Sequence, residues 1–523
     1  MTTLDYDVII IGSGMSGLTA GLSVAQAGQK ALIIEQHSLP GGWSQSFPLH
    51  HHMFSPGIHY IGELGPGERI RRLLEDMDVA DDLTFTELNT DAYDRAICPQ
   101  AEFNFPKGID ALSERLCEMF PGESRNIKKF INTCNRFISE WEEANYFTNG
   151  NSDIMLLPLK APTIARFAFY TFQNLLDHFF KDPKLKWVLS TQCLDSGLSP
   201  GNVSGPFQAI VNWHYARGGY YPKGGVKKIV SAFIKKFRKA GGTLMMGTSV
   251  SKILIENTGK PNAVGVELKD GTSLRCKKVI STADAGTTYG RLVGLEHLSG
   301  FLRWRLKRTR YSASCGSMFM ITNAPPEDLG MDSGNIFYSA GMDLNSMYKQ
   351  ALSPKILSAE EFPVMFLSSE SAKNPAHSNK RNEYTASAFV PLNHTTFSDY
   401  SDTKYGSRDA NYTAAKNRVG EMIIRSVEKV VPSIREHLID FDVSTPLTNT
   451  HYIGGEQGSM YGTEKSIEFI GPFAYRIQTP IKNLLMCGHS TVAHGFIGSV
   501  ISGRVAAAKV LGCKLSELKR PEN

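Results

Sequence analysis

The sequence predicts an α/β protein in which one discontinuous domain receives a second, α+β domain in pieces. Three observations carry this. At 523 residues the chain is too long for a single ordinary core. Its first stretch, "YDVIIIGSGMSGLTAGLSVAQAGQKALIIE", reads as strand, glycine turn, helix and strand. A glycine-rich texture then returns near residues 220 and 480, with helical and mixed sequence between. The boundaries that follow are 1–75, 216–295 and 471–523 for the first domain, and 76–215 and 296–470 for the second.

Composition narrows the function classes. With 41% apolar and 20% charged residues the chain is globular, which excludes disordered and fibrous proteins. A net charge of +5 is small for this length and gives no reason to expect nucleic acid as a partner. The eight cysteines contain no CxxC pair, so neither a zinc site nor a disulfide framework is signalled, and a reducing, cytoplasmic setting follows. The acidic start "MTTLDYD" lacks the basic region of a secretory leader, and no run approaches the roughly 18 apolar residues of a membrane span.

Each element has its own reason. Tyr6–Ile11 is an unbroken β-prone run. The helix extends from about Gly17 to Ala27, Gly28 occupies the C′ position, and Ala31–Glu35 is the second strand. Helical periods dominate from 68 to 215, as in 108–120 and 182–197. Val226, Ile229, Val230, Phe233 and Phe237 form one apolar helical stripe, and the lysines beside it are a solvated back. Strand-like pieces follow, two of them joined by the turn residues Asp270 and Gly271. The chain closes with a strand, a glycine turn and a helix stopped at Gly512.

Gly12-x-Gly14-x-x-Gly17 follows the first strand and opens the first helix, the context that gives this pattern meaning. The first glycine permits a tight turn, the second lets backbone approach a pyrophosphate, and the third lets helix and strand pack closely. With Ser16 in the same turn, the phosphates face free N–H groups at the positive end of the helix. Glu35, ending the second strand, is placed to accept hydrogen bonds from a ribose. An NAD enzyme would continue with another β-α-β unit. This chain continues with "PGGWSQSF", where Gly41, Gly42 and Ser44 bring backbone to the same pyrophosphate from the other side.

At this point the chain resembles the FAD-dependent family of phytoene desaturases, carotenoid isomerases and retinol saturases, and most the retinol saturase-like branch. Collinear blocks carry the resemblance: the opening unit, "PGGWSQSF", "FSPGIHYIGEL", "GGYYPKGGVKKIV" and its continuation, "TPLTNTHYIGGEQGSMYG" and "TPIKNLLMCGHSTVAHGFIGSVISG". It implies a Rossmann-type FAD-binding domain with an inserted α+β substrate-binding domain. Gly12, Gly14, Gly17 and Glu35 then hold the ADP half of FAD, and Gly41, Gly42 and Ser44 line the pyrophosphate and ribityl chain. Val250 meets the adenine through its backbone, and Gly488 sits in the glycine turn near the ribityl end. Gly498, Ser499 and Val500 start a helix aimed at the flavin's N1–C2=O edge. Trp43 and His489 depart from the pattern, since many relatives carry Arg and an acid there.

The resemblance also implies the reaction, a hydride passed between flavin N5 and carbon atoms of a polyene or isoprenoid lipid. Net reduction, net desaturation and isomerisation are all open, and an external electron donor or acceptor is required. Saturation needs a proton donor beside the flavin. His59 is the first candidate, with His214, Tyr215 and Tyr461 behind it. The run His50-His51-His52 suggests a metal, but consecutive strand residues cannot all face one ion and no acid stands at ligand spacing, so no metal is expected. A lipid substrate is drawn from a bilayer, and residues 156–180, helped by the basic run 303–310, form a candidate peripheral membrane surface. Two rivals share the scaffold. An amine oxidase would show a paired-aromatic cage, and a prenyl carrier of the GDP-dissociation-inhibitor fold would lack the flavin contacts.

Overall fold

The computed structural model describes residues 4–143, 157–375 and 381–518. In its first seven-stranded sheet, Tyr6–Ile11 lies between Ala31–Ile34 and Ser273–Ser281, both parallel to it. Thr243–Met245 extends the sheet past Ala31–Ile34, and Leu484–Met486 pairs in parallel with the far end of Ser273–Ser281. Val250–Thr258 and Lys260–Leu268 add an antiparallel arm. All three glycine-rich blocks of the sequence therefore contribute strands to one sheet. Parallel strands covered on both faces read as continuous apolar runs, which is why "VIII" and "ALII" are so uniform.

Helix Met15–Gln26 covers one face and packs against the last helix, Gly495–Leu511. Contact is close because Gly503 has no side chain; a Cβ there would stand 2.4 Å from the Ser16 carbonyl oxygen. The predicted amphipathic helix forms as Lys227–Lys239, burying Ile229, Val230, Phe233 and Phe237. Its Lys235 and Lys236 pair with Asp82 and Asp78.

The second seven-stranded sheet draws on two distant parts of the chain. Its order is Leu438–Ser444, Ser314–Thr322, Tyr384–Leu392, Val364–Ser368, Asn335–Ser339, Asp94–Cys98 and Ala101–Phe105. Neighbours are antiparallel except Asn335–Ser339 with Asp94–Cys98. Side chains alternate between faces. Met318, Met320, Met365 and Leu367 pack with helix Ala410–Glu428, while Phe319, Phe337, Phe366 and Phe389 join the central core. Phe366 and Phe389 thereby reach the large cavity between the sheets. The α/β class read from the sequence is what the chain adopts.

Two local readings are corrected. The opening helix begins at Met15, not Gly17, because Gly14 is already its N-cap. The last helix begins at Gly495, three residues before Gly498. In the aromatic run 156–180, Pro162 and the Thr171 cap divide the described part, from residue 157, into Leu157–Lys160, Pro162–Phe167 and Phe172–Phe179. Phe167, Phe172, Leu175 and Leu176 from that run are core residues.

Candidate functional site

A cavity of about 540 Å³ runs between the two sheets. Its floor is made of backbone. Gly14 and Gly41 form a parallel bridge, and a Cβ on Gly42 would lie 3.3 Å from Gly14 Cα. Two glycine turns thus meet with no side chain between them. Gly14 caps the opening helix without a side-chain hydrogen bond, so its first-turn amides are left for a ligand. Gly12, Gly14, Ser16, Gly41, Gly42 and Ser44 all line this floor. Gly17 does not. A Cβ there would stand 2.1 Å from the Gly12 carbonyl oxygen, so this glycine serves helix–strand contact.

Glu35 marks one end of the floor. One of its oxygens accepts from Ser13 N at 2.8 Å and Ser13 Oγ at 2.7 Å, and the other from His37 N at 2.9 Å. The carboxylate is held still, and both Glu35 and Val250 line the cavity. At the other end stand Gly488 and the start of the last helix. Because that helix begins at Gly495, the free amides belong to Gly495, Phe496 and Ile497, which line the cavity. Of the three residues expected there, Ser499 lines the cavity, whereas Val500 is fully buried in the core and Gly498 packs on Ala493.

These features fit a dinucleotide with a flavin ring. They offer a phosphate cradle that side chains would fill, a fixed carboxylate for a ribose, and a second helix N-terminus where a reduced ring carries negative charge. Trp43 adds an indole N–H that is buried in the lining without a protein partner. His489 is uncharged: burial, then the Lys465 charge, lower its pKa to about 4.

The proton-donor candidates share the opposite wall. His59, His214, Tyr215 and Tyr461 all line the cavity. His59 sits against Phe366 and Phe389, and burial, with the Lys373 charge behind it, pulls its pKa to about 3. It is neutral at physiological pH and holds no imidazolium proton. His214 Nε2 accepts from Gly62 N at 3.0 Å, which turns Nδ1 toward Glu63, 3.8 Å away. Tyr461 packs edge-on to His494, with ring centroids 4.4 Å apart. His50 and His52 pair with Asp440 and Glu383, and among the described residues no set of three or more His, Cys, Asp and Glu is arranged around a metal position.

Sequence reasoning missed a buried polar network behind this wall. Tyr60 OH lies 3.0 Å from Asp94 Oδ2 and 3.0 Å from Asp195 Oδ2. Asp94 also accepts from Gln192 Nε2 at 2.7 Å and Asn335 Nδ2 at 2.8 Å. Lys373, fully buried, donates to Asn335 Oδ1, Ser368 Oγ and the His59 carbonyl oxygen. Burial pulls its ammonium down, opposed by Glu370 and Asp94. Tyr60 and Asp195 line the cavity. The only local hint was a lone acid inside the apolar "QCLDSG", which has no motif around it.

Residues 15–511 match the family of flavin-containing amine oxidoreductases. The human all-trans-retinol 13,14-reductase is 27% identical, covering 98% of this chain and 87% of its own. The phytoene desaturase (lycopene-forming) of a Paracoccus species is 24% identical over 96% of both chains. Among solved structures, putrescine oxidase bound to putrescine superposes with a TM-score of 0.64 at 14% identity, covering 98% of this chain and all of that one. An oxidoreductase from Methanosarcina mazei gives 0.63 at 14% identity, over 97% of this chain and all of that one. At such identities the structural likeness speaks for the fold.

Proposed function

The chain belongs to the flavin-containing amine oxidoreductase family, and from that premise we propose an FAD-dependent oxidoreductase of C=C bonds in an apolar polyene of the retinoid or carotenoid type. Its cofactor is FAD. One observation carries the reading: the cavity continues from the glycine floor past the last helix into a wall of Leu194, Phe207, Ile210, Val211, Phe366 and Phe389. Such a wall excludes water and aligns a long apolar chain by shape. The sequence resemblance and the retinol reductase and phytoene desaturase relatives point the same way.

When bound, FAD supplies hydride transfer at its N5 atom. The amides of Gly14, Met15 and Ser16 hold phosphate, Glu35 orients a ribose, and the first turn of the last helix favours the reduced ring. The division into FAD-binding segments 1–75, 216–295 and 471–523 and substrate-binding segments 76–215 and 296–470 is part of this proposal, supported by the two sheets. The amine-oxidase alternative needs two rings facing across a gap. Tyr60 and Tyr215 instead stack on each other, with centroids 4.1 Å apart.

We also infer a membrane surface as the substrate's source. Leu159 and Phe169 are 79% and 73% exposed. Glu140 accepts from the Thr163 and Ile164 amides and so ties their segment to helix Ser124–Glu143, whose Trp141 lines the cavity. The basic run 303–310 supports this less, because Arg305 stacks on Tyr475 and Arg310 pairs with Glu464 and Glu468. Among the described residues no helix is long and apolar enough to cross a membrane. Paired Leu159→Glu and Phe169→Glu changes are expected to weaken binding to phosphatidylcholine vesicles at least roughly tenfold. Equal flotation of wild type and variant removes this surface.

Anaerobic incubation of the dithionite-reduced protein with candidate polyenes tests the activity. Flavin reoxidation with loss of one conjugated bond identifies a saturase. A shift in polyene absorbance without reoxidation identifies an isomerase, and no change on the reduced form with bleaching of the oxidised flavin identifies a desaturase. Peroxide release on amines, with no polyene response, replaces the proposal. Colourless protein that takes up no flavin does so too, in favour of a carrier.

A further inference from the structure

Tyr60 has one hydroxyl proton and two carboxyl neighbours, Asp94 Oδ2 and Asp195 Oδ2, each 3.0 Å away. A hydroxyl donates to one oxygen only. Its contact with the other is a hydrogen bond only if that other carboxyl brings a proton of its own. With both contacts as full two-centre hydrogen bonds, the arrangement holds one proton more than two carboxylates and a phenol would.

Which acid keeps that proton follows from the remaining partners. Both Asp94 oxygens receive amide N–H donors, from Gln192 and Asn335, and amide nitrogens can only donate. Asn335 in turn accepts from Lys373, which connects Asp94 to the buried ammonium. Asp94 is thus built as the acceptor. Among the described residues, Asp195 has Tyr60 as its single side-chain hydrogen-bond partner, and it lines the cavity. The titratable groups facing Asp195 are Tyr60, Tyr93, Tyr215, Tyr348, Tyr461, Cys193, Asp94 and His494. No cation at neutral pH is among them, because burial and the Lys465 charge lower His494 to about 3.

We propose that Asp195 is a neutral carboxylic acid and the proton donor of the reduction, with Tyr60 and Asp94 as the groups that hold it protonated and aligned. This rests on the reading under Proposed function. One carbon of the C=C bond receives a hydride, with its electron pair, from reduced flavin. The π pair of that bond then forms a C–H bond with the Asp195 proton at the neighbouring carbon, leaving Asp195 a carboxylate. Solvent returns the proton, and an external two-electron donor restores the flavin.

Two observations support the placement. His494, the N-cap residue of the last helix, donates from Nε2 to the Asp195 carbonyl oxygen at 2.6 Å, which fixes this acid beside the helix terminus. His494 itself is 8% exposed, and its Nδ1 is buried without a partner in the same lining. Burial, then the Asp94 charge, push the Asp195 carboxyl well above the usual carboxylate range. Burial also raises Asp94, to about 7, against the pull of Asn335, Gln192, Tyr60 and Lys373. Like charges this close do not both ionise.

Infrared spectroscopy of the FAD-loaded protein at neutral pH reads the proton without turnover. The expected result is a protonated-acid carbonyl band that shifts in heavy water and disappears in Asp195→Asn. Tyr60→Phe is expected to keep the band at a shifted frequency, and it serves if Asp195→Asn does not fold. In reduced protein mixed with polyene, Asp195→Asn is expected to slow flavin reoxidation at least roughly 100-fold, with polyene affinity unchanged. An unaltered band in Asp195→Asn, or reoxidation at the wild-type rate, overturns the proposal. Wild-type protein that keeps the band but reacts with no polyene overturns the proposed function and the donor role with it, while leaving the protonated pair standing.

Discussion

The two sides of the cavity are built on opposite principles. The floor is backbone: glycine turns meeting at Gly14, Gly41 and Gly42, and two helix starts without side-chain caps. The far wall is side chain: rings in front, and behind them a buried lysine, carboxyls and amides joined by hydrogen bonds. A backbone floor gains specificity by leaving space empty, so it tolerates changes that do not fill the space. A side-chain wall gains it by satisfying every buried charge, so each deletion leaves a partner stranded.

The largest expected effect falls on the wall. Lys373→Met removes the cation from Asp94, Glu370 and three acceptors, and the cost is about 3–5 kcal/mol. A urea midpoint equal to wild type would erase the distinction drawn above. The floor gives the sharper pair. Gly17→Ala forces a Cβ against the Gly12 carbonyl oxygen, at an expected cost of about 1–3 kcal/mol. Gly14→Ala meets nothing within 4 Å and keeps an ordinary φ of −59°, so the flavin-free protein should unfold within about 0.5 kcal/mol of wild type. That Cβ nevertheless intrudes on the cradle, and flavin retention is expected to fall roughly 10- to 100-fold. Equal effects of the two alanines on unfolding would refute the separate roles given to these glycines.

An effect confined to acid pH concerns Glu63, between floor and wall. Burial works to raise its carboxyl, but His214, Arg69 and Arg217 outweigh burial and hold it at about 2, against an ordinary 4.5. A depressed folded value means that its stabilisation is complete above about 4.5 and is lost as pH falls toward 2. Acid titration of wild type should lose about 3 kcal/mol across that window, a slope that Glu63→Gln lacks. Parallel curves would show that the cluster contributes nothing.

The sequence was informative where function depends on local backbone. Tyr6–Ile11 forms with the bounds read from its residues, because a run covered on both faces needs no partner to be recognised. Gly12, Gly41, Gly42 and Glu35, singled out by their spacing, all line the cavity. Helix starts were displaced for a local reason: in both helices an earlier glycine already marks the start, Gly14 as the cap of one and Gly495, with φ of 72°, opening the other. The far wall was illegible. Tyr60 meets Asp94 and Asp195 across 34 and 135 residues, and Lys373 reaches His59 across 314. No periodicity or short motif encodes such encounters, so a single acid in an apolar segment reads as noise until the sheets bring its neighbours together.

The contact between the first and last helices at Gly503 has a bearing on how the site is assembled. The floor of the site joins Tyr6–Ile11 and Met15–Gln26 to Leu484–Met486 and Gly495–Leu511, segments far apart in the chain. An opening unit folded without that later strand and helix has the first glycine turn but not the second helix N-terminus.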